Sequence, residues 1–286
     1  MFLKNQDCIG LLFDVLLGLP ESDKTKKWEE EEKKAVKFSY KILADVFAVD
    51  SDSKLREHEI VKDMFCRILE RIAIISKEPK RRYVEDISDD EEEEEQQQSP
   101  QKMDKPETEE DYKKKVVKKK GVGYGGNSNQ KWSVNEYMES KKSINDQLMA
   151  ILEILCSFLN AKDWVPPPAI IEEICCSALL PLLEACFRSA SLLDMAKEAQ
   201  INQTYLKVSR VLASNKHLLP CLLELDRHYQ PPQKESIFKL LGNLKELAQI
   251  FLNCLTAADK EANAGINEIL ARDILDTYKI VEKAVQ

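Results

Sequence analysis

From Leu148 to Leu225 apolar residues recur at helical spacing, and this run constrains the fold more than any other feature of the chain. Leu148, Ile151, Leu152, Leu155, Phe158 and Leu159 fall on one helix face at the i, i+3, i+4, i+7 spacing. After Pro166-Pro167-Pro168 the pairs Ile170/Ile171, Ile174/Cys175, Ala178/Leu179 and Leu182/Leu183 repeat every four residues. Ile201, Tyr205, Val208, Val211 and Leu212 then lead into Leu218, Leu219, Leu222 and Leu223. Full burial of each such side chain contributes roughly 1.5–3 kcal/mol. Ordering the backbone costs roughly 1–2 kcal/mol per residue. No single helix of this kind stands alone, so the helices must stack, and the pattern reads as scaffold rather than active site.

Glycine supports an all-α chain. Four of the 8 glycines crowd into Gly121–Gly126, which leaves the remainder nearly without the residue that hairpin turns need. The net charge of −8 speaks against a general nucleic-acid binder, because phosphate contacts need a basic surface. Cys156, Cys175, Cys176, Cys186, Cys221 and Cys254, with Cys8 and Cys66 before them, sit in or beside apolar helical positions. No Cys-x-x-Cys occurs and the 3 histidines lie far from any cysteine pair, so zinc spacing is absent and buried reduced thiols are expected. No apolar run reaches the roughly 20 residues that span a bilayer, and no signal-peptide pattern opens the chain. These features read as a cytoplasmic protein without a transmembrane segment.

Three helical segments precede a change of composition. The first occupies residues 2–19 and ends at Gly18 and Pro20. The second runs from about Trp28 to Ala48, with Glu29–Glu32 suiting the positive end of the helix dipole. The third runs from about Ser53 to Ser76. From Pro79 the chain becomes a charge block: Lys80-Arg81-Arg82, the acidic run Asp89–Glu95, Gln96–Gln98 and the basic run Lys113–Lys120. Apolar residues are too sparse there to offset ordering entropy, which predicts a long disordered insertion. About 40 flexible residues have ends roughly 30–40 Å apart and impose no geometry on what they join. Ser88, before Asp89-Asp90-Glu91, and Ser99, before Pro100, are candidate phosphorylation sites. The basic run reads as a solvated stretch folding back on the acidic one, with a nuclear import signal or an RNA contact as the rival.

Gly121-Val122-Gly123-Tyr124-Gly125-Gly126 matches G-x-G-x-x-G literally, but lysines precede it and Asn127–Gln130 follow. A dinucleotide fingerprint needs a strand before it and a helix opening at its end, so a flexible connector is the reading. Ser133 and Glu136 have capping-box spacing, with Trp132 placed to staple on Tyr137, and open a long helix to Asn160. Pro166–Pro168 preset the first turn of the next helix, Leu180-Pro181 marks a kink or helix change, and Ser191 and Asn202 are candidate caps. Leu219-Pro220 repeats the Leu180-Pro181 arrangement about 40 residues later, the range of armadillo and HEAT repeats. Two long helices follow Pro231-Pro232, from about Glu235 to Thr256 and from about Ile266 onward. The last stops at Gln286 in mid-pattern, which reads as an incomplete polypeptide. The domain plan is a helical segment 1–78, an insertion and connector 79–131, and an armadillo-like region 132–286.

Catalytic constellations are not found. Cys221 lies near His217 and His228, and Cys66 near His58, without an orienting carboxylate at a suggestive spacing. His-Glu-x-x-His, Gly-x-Ser-x-Gly and the Walker loop are absent, and Glu172-Glu173 reads as a solvated face. Accordingly no catalytic, cofactor or metal residue is assigned.

Lys120-Gly121-Val122-Gly123-Tyr124-Gly125 followed by Trp132-Ser133-Val134 resembles the giant inhibitor-of-apoptosis ubiquitin-conjugating proteins of the BRUCE, or Apollon, family. Leu152–Asn160, Ser177–Leu183, Leu192–Met195 and Leu218–Leu223 extend the resemblance, and Asp273–Ala284 is similar to a helix shortly before that family's catalytic domain. It covers roughly residues 116–286. It implies a mostly helical armadillo-like scaffold whose parent accepts ubiquitin on a cysteine and passes it to lysines of pro-apoptotic proteins and caspases, with ubiquitin-pathway partners and a homodimer in the full-length context. This chain departs from the family's catalytic parts: it has no His-Pro-Asn with a following cysteine and no Cys/His zinc repeat. The implied role is a non-catalytic scaffold portion upstream of a conjugating domain. The rival is an independent armadillo-like adaptor with no ubiquitin role. An enzyme in its own right ranks last, because a reactive thiol needs exposure and a depressed pKa.

Overall fold

The computed structural model describes residues 38, 41–47, 49, 56, 59–83, 134–161, 163–188, 191–225, 229–230, 233–255 and 265–286. The expected first helix, Cys8, His58, Ser88, Ser99, the basic run, the glycine cluster, Trp132, Ser133 and His228 lie outside these residues.

The architecture is all-α. Helical turns at 41–47 lead to α1 (Glu59–Ser76), a two-residue strand β1 (Arg82–Tyr83) and the long α2 (Val134–Leu159). Next come α3 (Pro168–Cys176), α4 (Leu179–Arg188), α5 (Leu192–Lys197), α6 (Ala199–Ser214) and the single turn α7 (Pro220–Leu223). A second short strand β2 (Tyr229–Gln230) precedes α8 (Ile237–Cys254) and α9 (Ile266–Val285). The strands pair antiparallel, Arg82 with Gln230 and Tyr83 with Tyr229.

Proline sets boundaries as the sequence suggests, and two serines not singled out as caps from the sequence, Ser177 and Ser236, set others. Pro168 opens α3 and Pro220 opens α7, where a missing N–H costs nothing. Pro181 lies in the first turn of α4, so Leu180-Pro181 marks a change of helix. Ser177 makes the corner: its hydroxyl donates to the Ile174 carbonyl at 2.7 Å and accepts from the Leu179 amide at 3.1 Å. Ser236 caps α8 by accepting from the Lys239 amide at 3.2 Å, so this helix begins at Ile237 rather than Glu235.

Other expectations are corrected. Asn202 is no N-cap: it lies inside α6 and is buried. Its amide donates to the Met195 carbonyl at 2.9 Å and the Glu198 carbonyl at 3.0 Å, closing the end of α5 from the next helix. Ser191 does stand at the N-cap of α5, but without a side-chain capping bond. α1 starts at Glu59, and Arg56, expected within it, lies in a 3₁₀ turn. Arg81 and Arg82, expected in a solvated charge block, are respectively buried and in strand β1.

The described helices share one core. α1 lies on α2, α2 on α6, α6 on α9, α9 on α8, α8 on α4, and α4 returns to α1. α3 packs beside α1 and α4, and α5 fills between α6, α8 and α9. Phe158, on the last turn of α2, is the hub at one end: it stacks on Phe65 with ring centres 4.6 Å apart. Phe47 and Trp164 meet it edge-on at 5.3 and 5.4 Å.

Two apolar stripes are wider than the arc they bury. Ile237, Leu240, Leu241, Leu244 and Ala248 turn inward from α8, whereas Leu247 and Ile250 are 47% and 59% exposed. At about 100° per residue Leu247 flanks the inward arc and Ile250 lies well outside it. On α9, Ile269 is likewise exposed while Leu270, Ala271, Ile274 and Val281 are buried.

Candidate functional site: a charge-balanced groove on the central helix

α6 is buried on nearly every side. Among Ala199–Ala213 the residues that are not buried are Gln200, Gln203, Lys207 and Arg210, spaced 3, 4 and 3 apart on one face. This strip floors an open groove of about 670 Å³. α2 contributes Met149 and Glu153 as one wall, and α9 contributes Ile269, Arg272, Asp273 and Asp276 as the other. The groove exists because three helices, each with a narrow polar strip, pack with those strips adjacent.

Ion pairs cross the floor. Lys207 Nζ lies 2.5 Å from Glu153 Oε2, joining α6 to α2. Arg210 donates to Asp273 Oδ1 at 2.5 Å and to the Thr277 hydroxyl at 2.7 Å, joining α6 to α9. The Thr277 hydroxyl in turn donates to the Asp273 carbonyl at 2.7 Å. Arg272 pairs with Glu268 and Asp276 with Lys279 along α9 itself. Three acids and three bases line the groove, so their charges balance. A polyanion finds no continuous basic track there. Met149 and Ile269 stand among these paired charges.

The lining carries no thiol or imidazole. Its buried hydroxyl, Thr204, donates to the Gln200 carbonyl at 2.9 Å.

The thiols elsewhere are disposed as follows. Burial pushes the Cys156 thiol up to about 12 and the Cys186 thiol to about 12, the latter helped by Glu198, and raises Cys66 as well. Those shifts oppose thiolate formation. Cys186 donates to Asn202 Oδ1 at 3.2 Å. Cys254, expected in an apolar stripe, is exposed at the end of α8. The Cys221 and Cys175 sulfurs lie 3.8 Å apart, within S–H···S hydrogen-bond reach, while His217 donates its amide to Asn215 Oδ1 at 3.0 Å. Among the described residues no group of His, Cys, Asp and Glu is arranged to hold a metal, and no helix is long and apolar enough to cross a membrane.

Two buried cations are not foreshadowed by any local pattern. Arg81 meets Glu184 at 3.4 Å and Gln233 at 3.4 Å, fixing the segment after α1 to α4 and to the start of α8. Arg56 reaches the end of α2. Each lies in a polar stretch, Arg81 between Lys80 and Arg82, and its role depends on residues about 100 positions away. The groove strip has a local signal, Gln200, Gln203, Lys207 and Arg210 at 3-4-3 spacing, but the buried Asn202, Thr204 and Ser209 make the helix polar on other sides too.

No protein-family model matches the chain. The dual E2 ubiquitin-conjugating enzyme/E3 ubiquitin-protein ligase BIRC6 of Mus musculus is 23% identical over 202 residues, 58% of this chain and 4% of the relative. The Homo sapiens protein of the same description is 22% identical over 201 residues, again 58% of this chain and 4% of the relative. The probable ubiquitin-conjugating enzyme protein 17 of Caenorhabditis elegans is 28% identical over 140 residues, 44% of this chain and 19% of the relative. The first two matches take in 58% of the chain and the third 44%, and the chain spans only 4%, 4% and 19% of the length of these relatives. The chain is distantly homologous to a region of the BRUCE-type family of ubiquitin-conjugating proteins.

Proposed function

We propose that this chain is a non-catalytic, armadillo-like helical scaffold within a ubiquitin-conjugating and ligating protein of the inhibitor-of-apoptosis class. In this reading it positions a conjugating domain and its substrates in the cytoplasm. The groove on α6 is the surface it offers to a partner polypeptide, and pro-apoptotic proteins or caspases are the substrates that the family resemblance implies. The observation that carries the reading is the match of 58% of the chain to two dual conjugating and ligating enzymes. The charge-balanced groove, which suits a protein partner, supports it.

The rival is an independent armadillo-like adaptor with no ubiquitin role. Binding of a ubiquitin-charged conjugating domain to the purified chain separates the two. Saturable binding is expected, weakened at least tenfold by the double substitution K207E/R272E in the groove. Failure to bind the charged domain, with a retained helical fold, favours the adaptor. Incubation with ubiquitin, its activating enzyme and ATP should leave the chain's cysteines unmodified. A reductant-sensitive ubiquitin adduct on this chain would overturn the non-catalytic reading.

A further inference from the structure

Cys175 lies at the end of α3 and Cys221 in the turn α7, 46 residues later. Their sulfurs stand 3.8 Å apart. That is van der Waals contact between two thiols, and about 1.8 Å more than the length of a disulfide, about 2.03 Å. Cys175 is half-buried and Cys221 is buried. We propose that Cys175 and Cys221 form a peroxide-responsive dithiol, a modification site that closes into an intramolecular disulfide between α3 and α7.

The access of the two residues gives the order of events. The Cys175 thiolate attacks one oxygen of hydrogen peroxide. The O–O bond breaks, water leaves after protonation, and Cys175 becomes a sulfenic acid. The Cys221 thiol, already in contact, attacks that sulfur, the S–O bond breaks and a second water leaves. Two thiols are oxidised by two electrons and one peroxide is reduced to two waters. Three of the other described cysteines, Cys156, Cys176 and Cys186, compete poorly as partners. Cys156 and Cys186 are held protonated by burial. Cys186 is engaged with Asn202. Cys176 is the chain neighbour of Cys175, so pairing those two closes a strained eight-membered ring.

The bridge would tie α3 to α7, and through α7 to α6 and α8, on which that turn packs. Closing a loop of this length restricts the unfolded chain, so the oxidised protein should melt roughly 5–10 °C higher than the reduced one.

The test treats the full chain with stoichiometric hydrogen peroxide and maps disulfides by non-reducing mass spectrometry with fragmentation. The expected result is a Cys175–Cys221 linkage, loss of two thiols and the rise in melting temperature, all reversed by dithiothreitol. C176S should keep all three, and both C175S and C221S should lose them. C175S removes the half-buried member and spares the buried one, which guards against a folding defect in C221S. Oxidation confined to Cys254, a link from Cys176 to Cys221, or Cys221 left reduced while Cys175 proceeds to sulfinic acid would each overturn the proposal.

Discussion

Arg56 Nε donates to the carbonyl of Phe158 at 2.6 Å, joining residues 102 positions apart. The same guanidinium donates to the carbonyls of Ser157 and Phe47, each at 2.9 Å, and lies 5.8 Å from the ring centres of Phe47 and Phe158. A buried cation is tolerated here because the last carbonyls of α2, the negative end of a helix dipole, take its N–H groups. The segment before α1 is thereby fastened to the end of α2.

Replacing Arg56 by alanine should destabilise the protein by about 3–5 kcal/mol, since several charge-assisted bonds are lost and buried carbonyls are left bare. Phe158→Ala should cost about 3–5 kcal/mol by opening the aromatic hub. The two changes share partners, so the double variant should fall short of the sum. Urea unfolding of the four proteins measures this, and strict additivity would mean that the guanidinium and the ring act independently.

Glu184 gathers Arg81, Arg188 and the Lys234 amide, and its side chain is nearly buried. Removing it by Glu184→Ala takes away the carboxylate that offsets the wholly buried Arg81 charge, and the loss should be about 3–5 kcal/mol. The strand pair should loosen with it. Hydrogen exchange at Tyr83 should therefore accelerate more than exchange in the middle of α6; equal acceleration at both sites counts against a local anchor.

Burial, reinforced by the nearby Glu184, holds the Glu78 carboxyl above its ordinary 4.5. The folded protein therefore keeps this proton more tightly than the unfolded chain does. The resulting stability is fully present below pH 4.5 and is lost as pH rises through the folded-state value. Glu78→Gln removes that loss. The variant should match the parent near pH 4 and surpass it at pH 7, as urea midpoints across that range will show (a variant weaker at pH 7 would reverse the sign).

Gly242 lies inside α8, and a methyl group there would meet Tyr278 Cε2 at 3.6 Å, an ordinary contact. Glycine in a helix interior costs about 0.5–1 kcal/mol relative to alanine. Gly242→Ala should therefore stabilise the protein by that amount and leave the stack of Phe238 on Tyr278, 5.3 Å between centres, in place. Differential scanning calorimetry should register a rise of roughly 1–4 °C; a fall would mean that the α8–α9 contact is already too tight for a methyl group.

The groove allows a partly buried ion pair to be compared with an exposed one. Arg210→Ala breaks the bonds to Asp273 and Thr277, both partly buried, and should cost about 1–2 kcal/mol. Lys207→Ala breaks a pair that is over 40% exposed on each side and should change stability by less than about 1 kcal/mol. Chemical denaturation of the two variants orders them, and a larger loss for Lys207 would be inconsistent with solvent screening.

What the sequence determined by itself was local. Helical spacing, proline at the openings of α3 and α7, and Ser177 and Ser236 at their corners all act within one or two turns of chain, where backbone sterics and the 3.6-residue period leave few choices. The apolar face of α6, Ile201, Tyr205, Val208, Val211 and Leu212, was legible for the same reason. Which strips would meet was not, because a helix face records what must be buried but not against what. Arg56 and Arg81 show the limit most plainly. Each is a charged residue in a polar neighbourhood, and only packing against α2 or α4 supplies the acceptors that make burial tolerable. The meeting of Cys175 with Cys221, and of three polar strips in one groove, was decided in the same way, by the closure of the helices on a common core.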